Sequence, residues 1–168
     1  MGQLGIQPKD PDFFPLMVGN HILGGGGLVS RLFDEVREKR GLVYSVNSKF
    51  SPLAAKGSFF IFLQNRKEES AHAIDLIQHI IKDFVAKGPS KKELDAAKKN
   101  IVGGFPLQIS SNSDIVDQLM FLSFYNFPLD FLDKYRENVE KVTRAQVRDA
   151  FQRHIQSDQI AVITVGEK

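Results

Sequence analysis

Gly24-Gly25-Gly26-Gly27-Leu28-Val29-Ser30-Arg31-Leu32-Phe33-Asp34-Glu35-Val36-Arg37-Glu38-Lys39-Arg40-Gly41-Leu42-Val43-Tyr44 is the stretch that decides the fold. Four consecutive glycines do not prolong a helix, and they predict a turned loop that lets another backbone approach closely. Leu28, Val29, Leu32, Phe33 and Val36 then recur at helical spacing, with Arg31, Asp34, Glu35, Glu38 and Lys39 off that face. An amphipathic helix of about three turns is therefore expected, ended by Gly41. Leu42 to Phe50 is rich in β-branched and aromatic residues and reads as a strand, and Gly57 to Gln64 reads as another. Ser51-Pro52 and Lys56-Gly57 supply turns between them, so the two strands are expected to pair antiparallel.

The same logic extends outward in both directions. Upstream, Asp10 as N-cap and Pro11 at the first helical position open a helix over about 11–23, with Phe13, Phe14, Met17, Val18, Ile22 and Leu23 as its apolar set. Downstream, Ala71, Ile74, Ile77, Ile81, Phe84 and Val85 predict a long helix over 67–87, stopped by Gly88-Pro89. Ser90 with Glu93 forms a capping box for a helix reaching Gly103-Gly104. Residues 106–111 read as irregular, Asn112 or Ser113 caps a helix to about Tyr125, and Pro128 separates it from a short helix over 129–139. Thr143 caps a last helix ending near His154, and Gln159 to Val165 reads as a closing strand.

Strands that do not alternate regularly with helices indicate an α+β fold, with helices packed on one face of a mainly antiparallel sheet. Three strands are few for so many helices. The deficit points to a single domain over 1–168 whose first strands lie upstream of Gly2.

The 168 residues suit one domain. A net charge of +2 gives no argument for nucleic acid as a partner. The absence of cysteine excludes a disulfide scaffold, a thiolate nucleophile and Cys-based metal sites. No stretch approaches the roughly 18 uninterrupted apolar residues of a membrane span. Residues 1–5 carry no secretory pattern and do not choose between bacterial periplasm and cytoplasm.

Three constellations could carry chemistry. The four histidines, His21, His72, His79 and His154, fit no zinc-peptidase spacing; His72 and His79 stand about two helical turns, roughly 10 Å, apart. No metal is expected on this chain. Gly24 to Gly27 before a helix suggests an anion cradle, but a helix rather than a strand precedes the run and no Lys-Ser/Thr pair follows. Residues 30–44 alone read as a solvated helix face, with Glu35 and Lys39 as a favourable pair. Yet Arg37 at the helix end and Tyr44 just beyond the turn offer a guanidinium fork and a phenol, good donors to a peptide carbonyl or carboxylate.

Residues 20–33 and 35–46, together with Gly57-Ser58-Phe59, Ser90 to Ala97 and Asp130 to Phe151, closely resemble the pitrilysin-like (insulinase-like) zinc peptidases, which include the processing peptidases. The resemblance covers nearly the whole chain. In that family two homologous α+β halves close around an unfolded peptide. One half carries an inverted His-x-x-Glu-His zinc motif, absent here, so the resemblance implies the C-terminal domain of the metal-free half. It implies further that Arg37 and Tyr44, matching the family's arginine and tyrosine in type and spacing, contact substrate, and that Gly24, Gly25, Gly26 and Gly27 line the path of the peptide. Zinc belongs to the partner half, and this chain alone is expected to be inactive.

Two rivals stand beside this reading: a structural scaffold subunit without peptidase role, and an anion-binding module built on the glycines. The resemblance also places strands upstream of Gly2, and a sheet edge left uncovered invites a second copy.

Overall fold

In a computed structural model, residues 1–166 are described, and they form helices on one face of a three-stranded antiparallel sheet. The strands are β1 (Gly2–Leu4), β2 (Ser45–Ser51) and β3 (Ser58–Gln64), in the order β1-β3-β2. The expected β2–β3 hairpin is present, with Val46 opposite Leu63 and Phe50 opposite Phe59. Alternation along β3 sends Phe59 and Ile61 into the core, whereas Phe62 is 57% exposed on the open face.

The third strand is not the one expected. Gln159–Val165 makes a single bridge, Ala161 to Gly2, and Ile163 and Val165 project into solvent. Gly2–Leu4 takes the place instead, pairing with Phe60, Phe59 and Ser58. Gly-Gln-Leu has little strand propensity of its own; its conformation comes from the ladder of β3, whose partners Ser58 to Phe60 lie outside any local window. The Gln3 amide adds a tie, donating to the His154 carbonyl at 2.7 Å and accepting from the Gln156 N–H at 3.0 Å.

The helices are α1 (Phe13–Asn20), α2 (Ser70–Lys87), α3 (Lys91–Gly104), α4 (Asn112–Phe124), α5 (Phe131–Lys141) and α6 (Arg144–His154). Capping boxes at Ser90/Glu93 and Thr143/Gln146 open α3 and α6 where local sequence expects them. For α4 the cap is Ser111 with Asp114, one residue ahead of the expected Asn112 or Ser113. At α1, Asp10 does not cap: its carboxylate accepts from the Asp12 N–H at 2.9 Å, and the helix starts at Phe13.

Leu16, Val18, Val46, Phe59, Ile61, Ile77, Ile81, Phe84, Val147 and Phe151 form the centre of one core. Gly19 lets α1 and α6 meet, since a Cβ there would lie 2.3 Å from the Phe151 ring. By contrast α4 buries only Leu122, leaving Val116, Met120 and Phe124 exposed.

The helix expected over 28–40 is broken. Gly27–Val29 is a 3₁₀ turn, Ser30 is extended, and a wide π-type turn runs over Phe33–Glu38. Leu28 and Val29, placed by periodicity on the buried face, are 74% and 69% exposed; Leu32, Phe33 and Val36 are buried. The break comes from Ser30, whose buried hydroxyl donates to the Gly27 carbonyl at 2.7 Å and so closes the turn before it.

Candidate functional site

Arg31 and Arg37 occupy the two ends of the helical segment that leads into β2. Arg31 points inward. Its Nε and Nη2 lie 2.5 and 2.9 Å from the two Glu93 carboxylate oxygens, and its guanidinium stacks 4.9 Å from the Phe84 ring centroid. Glu93 also accepts from the Ser90 N–H as part of the α3 capping box. Burial is the largest influence on this carboxyl and pushes it up, but the hydrogen bonds from Arg31 and Ser90 together prevail and hold it at about 2.

Arg37 points outward. Its guanidinium lies 4.7 Å over the Phe33 ring, and Nη1 is 3.3 Å from Glu38. The surrounding charges pair among themselves: Lys39 bridges Asp34 and Glu35, each at 2.7 Å, and Arg40 meets Glu35 at 2.6 Å. These contacts, Lys39 first and then Arg40, lower the Glu35 carboxyl. The Arg37 fork is thus braced on an aromatic face and keeps donors turned to solvent.

The chain then folds back. The Gly41 N–H donates to the Arg37 carbonyl at 2.9 Å, and the Leu42 N–H to the Val36 carbonyl at 3.1 Å. Gly41 has φ +64°, a left-handed value that closes the turn without the strain a side chain would bring. Leu42 and Val43 plug into the core, and the Tyr44 N–H joins the Gln64 carbonyl at 2.7 Å, fixing the backbone while the ring stays 60% exposed. Arg37 and Tyr44 are therefore both anchored through their backbones, with Tyr44 open to solvent and Arg37 half-exposed. Among the described residues no hydrogen bond joins the two side chains.

The glycine run is not a loose loop throughout. Helical path continues from α1 through His21–Gly25 as a π-turn, closed by the Gly26 N–H on the His21 carbonyl at 2.9 Å. The reason is close packing against the outer edge of β2: a Cβ on Gly24 would sit 2.5 Å from Ser48 Oγ and 2.8 Å from its backbone nitrogen, and one on Gly25 would sit 2.5 Å from Asn20 Nδ2. Asn20 completes this seam, its amide donating to the Ser48 carbonyl at 3.1 Å and accepting from the Ser48 hydroxyl at 2.7 Å. Gly27, at φ +62°, meets nothing within 4 Å and faces open space.

Beside the seam lies an open groove of about 630 Å³, with Asn20, His21, Asn47, Asn100, Gln108 and Tyr135 in its walls. Sequence reading gave it no weight, because its amides come from four separate elements. His21 Nε2 is buried there without a hydrogen-bond partner, and burial lowers the imidazole, keeping it neutral at pH 7.

Among the described residues, one group of three potential metal ligands comes together: Asp10, Asp12 and His154. It does not fit zinc. The Asp12 carboxylate is already engaged by Arg153, through Nε at 2.9 Å and Nη2 at 2.7 Å, and a metal would have to share it with that cation. The cluster instead pins the start of α1 to the end of α6. Among the described residues no helix is long and apolar enough to cross a membrane.

Comparison with known proteins places this geometry. A solved peptidase M16 inactive domain from Pseudomonas fluorescens is 44% identical and superposes with a TM-score of 0.87, over 94% of this chain and 38% of that one. A protease from Helicobacter pylori shares the fold, with a TM-score of 0.83 at 19% identity over 94% of this chain and 38% of that one. Among curated proteins, a non-peptidase homolog from Helicobacter pylori is 30% identical over 86% of this chain and 33% of its own length. A protein called an uncharacterized zinc protease in Mycobacterium bovis is 29% identical over 87% of this chain and 33% of its own. The chain thus spans about a third of the length of these curated relatives. The family profile described as peptidase M16 inactive domain matches residues 1–101. That profile covers more than half of the chain, which therefore belongs to the peptidase M16 family, as an inactive domain of it.

Proposed function

We propose that this domain is the metal-free, substrate-binding half of a zinc metallopeptidase, and that Arg37 and Tyr44 are the groups it offers to the peptide. One observation carries the reading: Tyr44 is exposed and Arg37 half-exposed at one helix-to-strand turn held by backbone hydrogen bonds, while the acids and bases around Arg37 pair with each other. Arg37 supplies a planar fork of N–H donors and Tyr44 a single O–H. Aimed at a scissile carbonyl, such donors bind the ground state weakly and the developing oxyanion more strongly, which is what lowers a barrier. Zinc, with the water it activates, belongs in this reading to a homologous His-x-x-Glu-His half, and the substrate is an unfolded peptide held between the two. The exposed glycine of the run, Gly27, is a further candidate contact for the peptide backbone.

The test is cleavage of a fluorogenic peptide in the presence of zinc by three samples: the full-length protein containing this domain, its zinc-motif partner, and the mixture. Activity should require the mixture and fall at least tenfold with Arg37→Ala or Tyr44→Phe; loss of one well-placed donor typically costs about 100- to 1000-fold. Full activity of the partner alone, or a mixture indifferent to both substitutions, would overturn the reading. That outcome would leave a structural scaffold, a second reading favoured by the name of the Helicobacter pylori relative, a non-peptidase homolog.

A further inference from the structure

The π-turn of the glycine run hides a titratable nitrogen. His21 opens the turn, the Gly26 N–H closes it on the His21 carbonyl at 2.9 Å, and the imidazole folds back against Gly26. A Cβ on Gly26 would lie 2.6 Å from that carbonyl oxygen and 3.1 Å from Nε2, so a glycine is needed to cover the ring this closely. Nε2 is buried with no hydrogen-bond partner among the described residues. A neutral imidazole with its proton on Nδ1 tolerates this, because Nε2 is then a bare acceptor. An imidazolium does not, because Nε2 becomes a charged N–H donor with nothing to receive it.

The groups facing His21 do not relieve that charge. The turn packs against α1, β2, α3 and residues 27–29, and besides His21 itself residues 13–29 contain no titratable side chain. From β2 comes Lys49, and from α5 the Tyr135 phenol, both in the walls of the 630 Å³ groove. From α3 come Lys92 and Glu93, which with His21 line a second groove of about 340 Å³. Glu93 is the one carboxylate in this set, and Arg31 already occupies both of its oxygens. Two lysines and a committed acid oppose a further positive charge, and burial of the imidazole acts in the same direction.

The segment that covers Nε2 is the one part of the run free to move. Gly24 and Gly25 are packed on Ser48 and Asn20, and Ser30 is buried and tied to the Gly27 carbonyl. Between these anchors Gly27 meets nothing within 4 Å and Leu28 and Val29 are exposed, so opening at Gly26 breaks one backbone hydrogen bond and moves no core side chain. We propose that His21 and Gly26 form a proton-operated latch: the turn stays closed over the neutral imidazole and opens when Nε2 takes up a proton and turns to water. With the turn open the imidazole has its ordinary value of 6.5, and with the turn closed a lower one. The closed turn is therefore favoured above about pH 6.5 and loses ground as the pH falls below it. His21 and Asn100 stand in the walls of both grooves, so opening reshapes the two together. This inference stands independently of the peptidase reading.

The experiment follows amide hydrogen exchange by NMR in the full chain at about pH 7.5 and about pH 5, corrected for the intrinsic exchange rates. Protection of the residue 26 amide should fall roughly tenfold or more on acidification, over the range in which the His21 ring nitrogens titrate, while the Ile61 amide in the middle of β3 keeps its protection. His21→Phe keeps a ring under the turn but takes no proton, and should protect residue 26 equally at both pH values. Gly26→Ala presses a methyl on the His21 carbonyl and should leave that amide poorly protected at both. Equal protection of the parent at the two pH values would overturn the proposal, as would an acid loss in His21→Phe as large as the parent's. So would a parallel loss at Ile61, since acid would then unfold the whole domain rather than open one turn.

Discussion

Arg31 and Arg37 are six residues apart on one helical segment, yet they do opposite things. Arg31 is sandwiched between the Phe84 ring and the Glu93 carboxylate, and also reaches the Gly88 carbonyl at 3.3 Å. It ties the segment to both ends of the α2–α3 connection. Arg37 is stacked on a ring of its own segment and bonded only weakly to its sequence neighbour Glu38. Rigidity at the inward end is what allows an exposed group at the outward end to keep a direction. The difference teaches that residue type and helical spacing do not separate an arginine tied into the packing from one left at the surface; the element packed opposite does.

The comparison breaks most visibly at Arg31. Arg31→Ala removes a stacked guanidinium and leaves Glu93 partly buried without its cation, so a loss of about 2–3 kcal/mol is expected in chemical denaturation. A double-mutant cycle with Glu93→Gln should show coupling of about 1 kcal/mol or more, because the two side chains share one bidentate contact. Additive effects would mean that Arg31 works through packing on Phe84 alone.

Gly24→Ala comes next. The new methyl would press on Ser48 Oγ, the Ser48 backbone nitrogen and Leu32 Cδ1, all within 2.8 Å, and a loss of about 2 kcal/mol is expected by thermal denaturation. Gly27→Ala meets no atom, but its φ of +62° costs a side chain about 1 kcal/mol. The ranking Gly24 above Gly27 sharpens the distinction between a packed and a merely turned glycine. A reversed order would sink the close-packing account.

These glycines show what the sequence could and could not reveal. Their role in close approach of a second backbone was legible in composition, but the identity of that backbone, β2 at Ser48, was not. Caps at Ser90 and Thr143 were legible because both partners lie within one turn. Gly2–Leu4 was hidden because its strand conformation comes from β3, and Gln159–Val165 misled because Val and Ile favour a strand whether or not a neighbour exists to complete it. Leu28 and Val29 misled for a related reason: helical periodicity fits them, and only the Ser30–Gly27 hydrogen bond takes them out of register. Of the candidate site, Arg37 and Tyr44 were legible as donors on either side of a helix-to-strand turn, and only the family resemblance implied that they contact substrate. The groove beside His21 was not, since its walls assemble from distant segments.

A smaller effect is expected on acidification. The Glu93 carboxyl sits at about 2 in the folded protein against an ordinary 4.5, so the folded state holds its proton less tightly than the unfolded chain. The resulting stabilisation is present above about pH 4.5 and is lost as pH falls towards 2. With this carboxyl still partly open to solvent, screening reduces the contribution to the order of 1 kcal/mol. Denaturation midpoints of the parent and Glu93→Gln should converge between pH 4.5 and 2; parallel curves would remove the Arg31–Glu93 pair from the account.

The smallest expected effect is at Arg37, and it is the most informative. Arg37→Ala gives up a stack on Phe33 and a 3.3 Å contact to Glu38 at the surface, so its stability should stay within about 0.5 kcal/mol of the parent. Tyr44→Phe removes a hydroxyl from a ring that is already 60% exposed and should change stability no more. Both variants can therefore be compared with the parent in peptide cleavage without correcting for unfolding. If Arg37→Ala instead destabilises as much as Arg31→Ala, the outward arginine is a structural group, and the division of labour between the two ends of the segment fails with it.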